Sequence, residues 1–481
     1  MKTPDVEHRF TRQDVEFLLD CCLNRTLGEI DRKHVFDKTK TNPKITGIAG
    51  DVIEQSVFGY KANSSKEPDL IVDGVKTELK TTGIRFSKKE KNKYEAKEPV
   101  SITAVSPNTI IDEEFNTSHF WQKLEHLLFV YYLYSSAKKT VPAAEYAAFL
   151  VKGYQFVEFS DDDKEILKQD WLIVRNFIQS LNKNPSFYPE ISHLRSKLLF
   201  IDTAPKWPHP PRFRLKRSLV TSIVQSHFKE SLEQLPQKYD TYSEIDSKCG
   251  EITRLYKGWT VSKLVKEFEI NGKIDKGIGE RLVVRMFGGS AKKMQKIDLF
   301  NKIGLIGKTI VLTEKGKRTE DMKLFRIDFD EIIPDNNNFS ESEIYDFFIG
   351  NQVLCIMFEE HDKNDFGKNT FVGFKRLSFS DELIDLCVKP VWERIWHLVI
   401  NKELKDIPVL DKHGNVRINK TGVPQTAPNF PKSSESVVFV RGDSSDSTKK
   451  TEIVNGIRMY RQYIWIKGSY VSEMLKEKDF I

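Results

Sequence analysis

Apolar positions recur at helical spacing over residues 12–30, where Val15, Phe17, Leu18, Cys22 and Leu23 fall together, so the pattern predicts a helix there. Gly50 opens a second helix through the stretch DVIEQSVFG. Residues 70–72 and 75–81 read as strands joined by a turn at Asp73-Gly74, a pair that accepts the positive φ angles of a tight hairpin. Further strands are predicted over 99–105, 129–134, 147–151 and 198–202, and helices over 118–128 and 164–181. A strand and helix over 213–228 close this first region, which reads as one mixed α/β domain over residues 1–235.

The polar stretch 229–250 reads as a linker, taken as 236–250, and the order of elements then restarts over 251–481. GDVIEQSVFG from Gly50 recurs as GERLVVRMFG from Gly279, and Pro68-Asp69-Leu70 recurs as Ile297-Asp298-Leu299, both at one offset without a gap. Thr26-Leu27 recurs as Thr260-Val261, and Asp170-Trp171 faces Val391-Trp392. FRLKRSLVTSIV from Phe213 faces YIWIKGSYVSEML from Tyr463. This ordered set of matches predicts a duplicated fold. The second copy does not keep the acids: Val283 stands opposite Glu54, and GLIGKTIVL over 304–312 replaces the Glu78-Leu79-Lys80 triplet. Residues 411–451, rich in Lys, Asn, Ser, Gly and Pro, read as long loops.

A chain of 481 residues is too long for one core, which agrees with two domains. Its 39% hydrophobic and 30% charged residues suit a globular protein rather than a disordered one. No run of 18 apolar residues predicts a membrane span, and MKTPDVEHRF has no apolar signal core, so a cytoplasmic protein without membrane contact is expected. Cys21, Cys22, Cys249, Cys355 and Cys387 show no C-x-x-C spacing and read as reduced thiols. The net charge of +6 is too mild to identify a nucleic-acid binder. Two basic clusters, KKEKNKYEAK over 88–97 and PKWPHPPRFRLKR over 205–217, fit either solvated loops or phosphate contacts.

The chemistry concentrates in PDLIVDGVKTELK, from Pro68 to Lys80. Phosphodiester hydrolysis needs an activated water, charge neutralisation at phosphorus and protonation of the leaving oxygen. Mg²⁺ can supply the first two and prefers oxygen ligands. Asp69 and Glu78 offer two carboxylates. Side chains alternate along a strand, so Glu78 and Lys80 share a face, and Leu79 turns inward while its carbonyl oxygen is free to ligate. Lys80 can then orient water and stabilise the transition state, and Glu54 on the preceding helix can bind a second metal or position water. The same three charges also fit an ordinary turn and surface, and the triplet alone leaves both readings open. His119 and His126 read as packing or surface residues.

Gly50-Asp51-Val52-Ile53-Glu54, Pro68-Asp69, Glu78-Leu79-Lys80-Thr81, SHFWQKLEHLLFV from Ser118 and the closing FRLKRSLVTSIV resemble the family of the mismatch-repair nicking endonuclease MutH and the related GATC-cutting type II restriction endonucleases. The duplicated layout with a degenerate second half resembles the longer restriction enzymes. The resemblance implies two tandem restriction-endonuclease-like domains of the PD-(D/E)xK type forming a pseudo-dimer, Mg²⁺-dependent cleavage of double-stranded DNA, and recognition of 5′-GATC-3′. It implies metal-binding acids at Asp69 and Glu78, a catalytic lysine at Lys80, a helix acid at Glu54 and a further active-site lysine at Lys123. The family's base-reading loop falls on 202–211, where Pro208, His209, Pro210 and Pro211 depart from the pattern. Lys206 in that loop, Arg214 and Lys216 after it, and Arg441 in the second copy are the expected DNA contacts. A monomer that dimerises on DNA and a cognate DNA methyltransferase in the host complete the picture. The rival readings are a mismatch-repair nicking enzyme and a non-catalytic DNA-binding protein.

Overall fold

The computed structural model describes residues 8–43, 45–60, 67–87, 92–138, 140–181, 184–204, 209–229, 231–313, 320–411, 413–418, 422–444 and 446–481. Helix α1 (Arg12–Asp20) starts at a capping box between Thr11 and Asp14, and α2 (Leu27–Ile30) at a second one between Thr26 and Glu29. The single helix expected over 12–30 is therefore two. The Thr26 hydroxyl accepts the Glu29 N–H and so starts a new helix rather than extending the first. After α3 (Lys38–Thr41), α4 (Ile48–Val52) continues as a π-helical turn over Ile53–Phe58 and stops at Gly59, whose φ of 85° only glycine adopts freely.

Strands β1 (Arg9–Phe10), β2 (Leu70–Val72) and β3 (Val75–Phe86) come next in the sheet. Asp73 and Gly74 both have positive φ (48° and 85°), which confirms the tight β2–β3 turn. Then follow β4 (Tyr94–Ala96), β5 (Val100–Ala104), α5 (His119–Gln122), β6 (Leu127–Leu133), β7 (Leu150–Val157), α6 (Asp161–Ser180), β8 (Ile201–Asp202), β9 (Arg212–Leu215) and α7 (Arg217–His227). The helix expected over 118–128 is cut to one turn, because the apolar run from Leu127 is the buried central strand. The main sheet has the order β1-β2-β3-β6-β7, with β4 also on β3; β3 and β6 are parallel. A second sheet has the order β5-β9-β8. Leu79, Leu128, Val130 and Tyr132 pack with Val15, Leu19, Val52 and Ile53 in one core.

Helix α8 (Tyr242–Tyr256) occupies much of the stretch expected as a linker. Its buried Tyr242, Ile245, Cys249 and Ile252 repeat at helical spacing within a polar-looking sequence. The chain continues through α9 (Val261–Glu267), α10 (Ile278–Met286), α11 (Asp298–Lys302), β10 (Leu305–Leu312), β11 (Met322–Arg326), α12 (Glu343–Gly350), β12 (Gln352–Glu359) and β13 (Thr370–Leu377). It then forms α13 (Asp381–Leu383), a π turn over Ile384–Val388, α14 (Lys389–Ile400), β14 (Asp406–Pro408), β15 (Thr426–Pro428), β16 (Val438–Gly442), β17 (Glu452–Val454), β18 (Ile457–Met459), β19 (Gln462–Ile466) and α15 (Gly468–Lys476). The region expected as loops over 411–451 thus contains β15 and β16, with β14 pairing β15.

The sheets β10-β12-β13 and β11-β19-β16 repeat the orders β3-β6-β7 and β5-β9-β8. Small details repeat too. Thr26 bridges Leu150 as Thr260 bridges Thr370. The β6–β7 register slips between Tyr131 and Tyr132, and the β12–β13 register slips between Met357 and Phe358. Gly59 and Gly288 both have φ near +84° (85° and 83°).

By compactness the chain forms two units: Met1–Ser136 with Val141–Lys248 and Val284–Leu305, and Ala137–Thr140 with Cys249–Val283 and Ile306–Ile481. The first unit therefore takes α11 from beyond the sequence boundary. There Lys302 pairs with Asp163 (3.0 Å) and Asp298 (2.8 Å), and Ser218 donates to the Lys302 carbonyl (2.6 Å). Among the described residues no helix is long and apolar enough to cross a membrane.

Candidate active site

The β2–β3 turn sets the register Leu70↔Thr77, Ile71↔Lys76 and Val72↔Val75, so Asp69 emerges beside Glu78 and Leu79 as the ladder ends. The Leu79 N–H donates to the Asp69 carboxylate at 3.0 Å, while the Glu78 N–H donates to the His126 carbonyl on the other edge at 2.9 Å. N–H and C=O of one strand residue leave on the same edge, so the Leu79 carbonyl is directed to the side where Asp69 stands. The Leu79 side chain is buried in the core.

Glu78 and Lys80 share the opposite face, with Lys80 Nζ 2.5 Å from Glu78 Oε1. Lys123, just past α5, places its Nζ 3.0 Å and 2.9 Å from the two Glu78 oxygens. The Glu78 side chain is 1% exposed, so a buried carboxylate is held between two ammonium groups. Lys123 also lines a cleft of about 360 Å³ with Thr103, Ser106, Glu113, His119 and Arg212.

Glu54 sits at the start of the π turn, a distortion that recurs at functional sites. Burial, with the charges of Asp69 and Asp51, pushes its carboxyl up to about 8. Asp69 is also raised, first by burial and then by Glu78, against the pull of Lys80, Lys123 and the Leu79 N–H. Among the described residues, three carboxylates approach within 4.8 Å of one another only at Asp328, Glu331 and Glu343, so Glu54, Asp69 and Glu78 do not all close to that distance. Two carboxylates and a carbonyl still suit Mg²⁺, which keeps several waters and seldom takes a full protein cage.

One residue near the site was not singled out from the sequence. The Tyr60 hydroxyl is buried, has no hydrogen-bond partner among the described residues, and feels the charges of Glu54, Asp69 and Glu78. Nothing in the local sequence marks it, because Tyr60 looks like one more apolar position after Phe58.

The expected DNA contacts fare differently. Lys206 lies outside the described residues. Arg214 forms a two-bond pair with Asp202, at 2.7 Å and 3.0 Å. Lys216 is a correction: it is buried and donates to the Leu198 carbonyl, so it braces β8 and β9 and its ammonium is not presented to a phosphate. Asp170, also buried, accepts the N–H groups of Leu199, Phe200 and Ile201 at 2.8, 2.7 and 3.1 Å and fixes the same segment. Arg441 pairs with Asp321 at 2.7 Å and lies 3.9 Å over the Trp465 ring. His119 pairs with Glu113 and His126 with Glu158.

Residues 58–170 match the family model described as the DNA mismatch repair enzyme MutH. That segment includes Asp69, Glu78, Lys80 and Lys123 and leaves Glu54 just outside. The chain is also similar to the type II restriction enzyme Sau3AI of Staphylococcus aureus, with 24% identity over 521 aligned positions, covering 98% of this chain and 100% of that protein. The resemblance read from the sequence is thus borne out: the segment that builds the site is MutH-like, and nearly the whole chain is similar to a type II restriction enzyme.

Proposed function

We propose that this protein is a Mg²⁺-dependent type II restriction endonuclease that hydrolyses double-stranded DNA at a short palindrome, 5′-GATC-3′. The observation that carries this reading is the buried Glu78 carboxylate gripped by Lys80 and Lys123 beside Asp69. The similarity to Sau3AI over nearly the whole of both chains favours restriction over mismatch repair. A catalytic site of this build disfavours a purely DNA-binding role.

Asp69, Glu78 and the Leu79 carbonyl would hold the cation. When bound, Mg²⁺ makes water more acidic and takes up negative charge at the phosphate. The two lysines balance the Glu78 charge in its absence. With DNA in place, Lys80 orients the attacking water and stabilises charge developing on the phosphate oxygens, and Lys123 steadies Glu78 from the other side. Glu54, on the π turn next to the reacting groups, positions water or a second cation there. Arg441 and Lys206 contact DNA, as does Arg214 if released from Asp202. The second half serves binding or regulation. A working site in one half only implies strand-by-strand cutting, or a second molecule joining on the DNA. A host methyltransferase would protect the same sites.

Digestion of unmodified and adenine-methylated DNA with Mg²⁺, followed by sequencing of the ends, tests this. Ends at GATC support the reading. Ends at an unrelated sequence overturn the site, and a purified protein that cuts only when repair partners are added supports mismatch repair instead.

A further inference from the structure

Tyr60 stands where β1, the π turn and the start of β2 meet. Its backbone N–H donates to the Glu54 carbonyl at 3.2 Å. Its ring stacks on His8 with centroids 4.1 Å apart and planes at 18°, and His8 Nδ1 lies 3.1 Å from the Asp69 carbonyl. Tyr60 is therefore tied by its backbone to the residue bearing the helix acid and, through the stacked His8 ring, to the residue bearing the first strand acid. At its end is a hydroxyl that is shielded from solvent and has no partner among the described residues. Three carboxylates, Glu54, Asp69 and Glu78, impose their charge on it.

A buried phenol without a partner is costly, and native proteins keep such groups mostly where a ligand, ion or water completes them. The apolar Phe would pack equally well between His8 and Phe58, so packing does not account for the hydroxyl. Phe10 already plays that role against Phe58, with centroids 5.3 Å apart.

We propose that Tyr60 is a positioning residue for the divalent cation, its hydroxyl hydrogen-bonding a water that surrounds the ion at Asp69 and Glu78. The inference rests on the metal-site reading given above. Residues that orient ligands from outside the first coordination sphere typically change metal affinity about 10- to 100-fold when removed. Tyr60 should behave in that way, and not as a residue that merely fills space.

The test uses the full chain without DNA and MnCl₂ as the probe. Isothermal titration gives the affinity, and thermal melts in chelator and in excess MnCl₂ give the stability. Tyr60→Phe should melt at the same or a higher temperature than wild type in chelator, because it loses only an unsatisfied hydroxyl. It should bind Mn²⁺ about tenfold or more weakly. Tyr60→Leu, which also removes the His8 stack, should lose stability in chelator and so report the packing role separately. Equal Mn²⁺ affinity in wild type and Tyr60→Phe overturns the proposal for Tyr60 alone. If wild type itself gains no stability and shows no binding that Glu78→Ala abolishes, the metal-site reading fails instead.

Discussion

The two halves of this chain share strand order, register slips and turn glycines, yet the first holds a buried carboxylate between two lysines and the second has an isoleucine in that carboxylate's place. Thr81 lies near Gly50, and Thr309 lies against Gly279, which aligns β10 on β3 side chain by side chain. Ile306 then stands at the place of Glu78, Gly307 at Leu79, and Lys308 at Lys80. Val283 stands at Glu54, and α12 has no lysine where α5 leads into Lys123. Asp298, the counterpart of Asp69, lies on a helix and pairs with Lys302. The strand orders survive these changes, although α11 stands where the first half has β2. The proposed chemistry needs carboxylates at two particular positions, and the second half has Ile306 at the place of Glu78.

The largest effect should come from breaking the contrast at the lysines. Lys80→Ala should lower the cleavage rate roughly 10³-fold, whereas Lys308→Ala should leave it within about twofold, since Ile306 stands where Glu78 stands beside Lys80. Initial rates on a plasmid substrate decide; a Lys308→Ala protein as inactive as Lys80→Ala would give both halves a catalytic role.

A smaller change is expected at the helix that supports β8. Asp170→Ala leaves three buried N–H groups unpaired and should destabilise the protein by about 3 kcal/mol or more. Val391→Ala, at the matching position, removes only packing and should cost about 2 kcal/mol. Urea midpoints measure both, and equal losses would mean that Asp170 does no more than fill space.

The smallest effect is a pH dependence confined to the first half. Folding raises the Glu54 carboxyl from 4.5 to about 8, so the folded state holds a proton that the unfolded chain has released. This contribution to stability is present in full below pH 4.5 and is lost as pH rises through about 8. Glu54→Gln should flatten that fall in chelator, so the variant gains on wild type between pH 5 and 9. Parallel pH profiles for the two proteins would remove Glu54 from the set of buried, proton-holding groups.

Much of this was legible in the sequence because it was local. The Asp73-Gly74 turn fixes the β2–β3 register, and the period of two puts Glu78 with Lys80. The repeated glycines of GDVIEQSVFG and GERLVVRMFG announced the second copy. What the sequence hid depends on contacts far along the chain. Lys216 reads as a basic surface residue until its ammonium is found on the Leu198 carbonyl. Helix α8 reads as a linker because its apolar stripe is thin within polar neighbours. The retained Lys308 stayed hidden because Gly307 and Ile306 erase the triplet around it. Tyr60 shows its role only through His8 and Asp69.

The central claim is that all cutting derives from the cluster around Glu78. A time course on supercoiled plasmid with Mg²⁺, comparing wild type with Glu78→Ala at equal folded concentration, tests it most directly. Wild type should pass through open circles to linear DNA, and Glu78→Ala should leave the plasmid supercoiled. Open circles formed by Glu78→Ala at the wild-type rate would place a working site elsewhere in the chain and contradict the account.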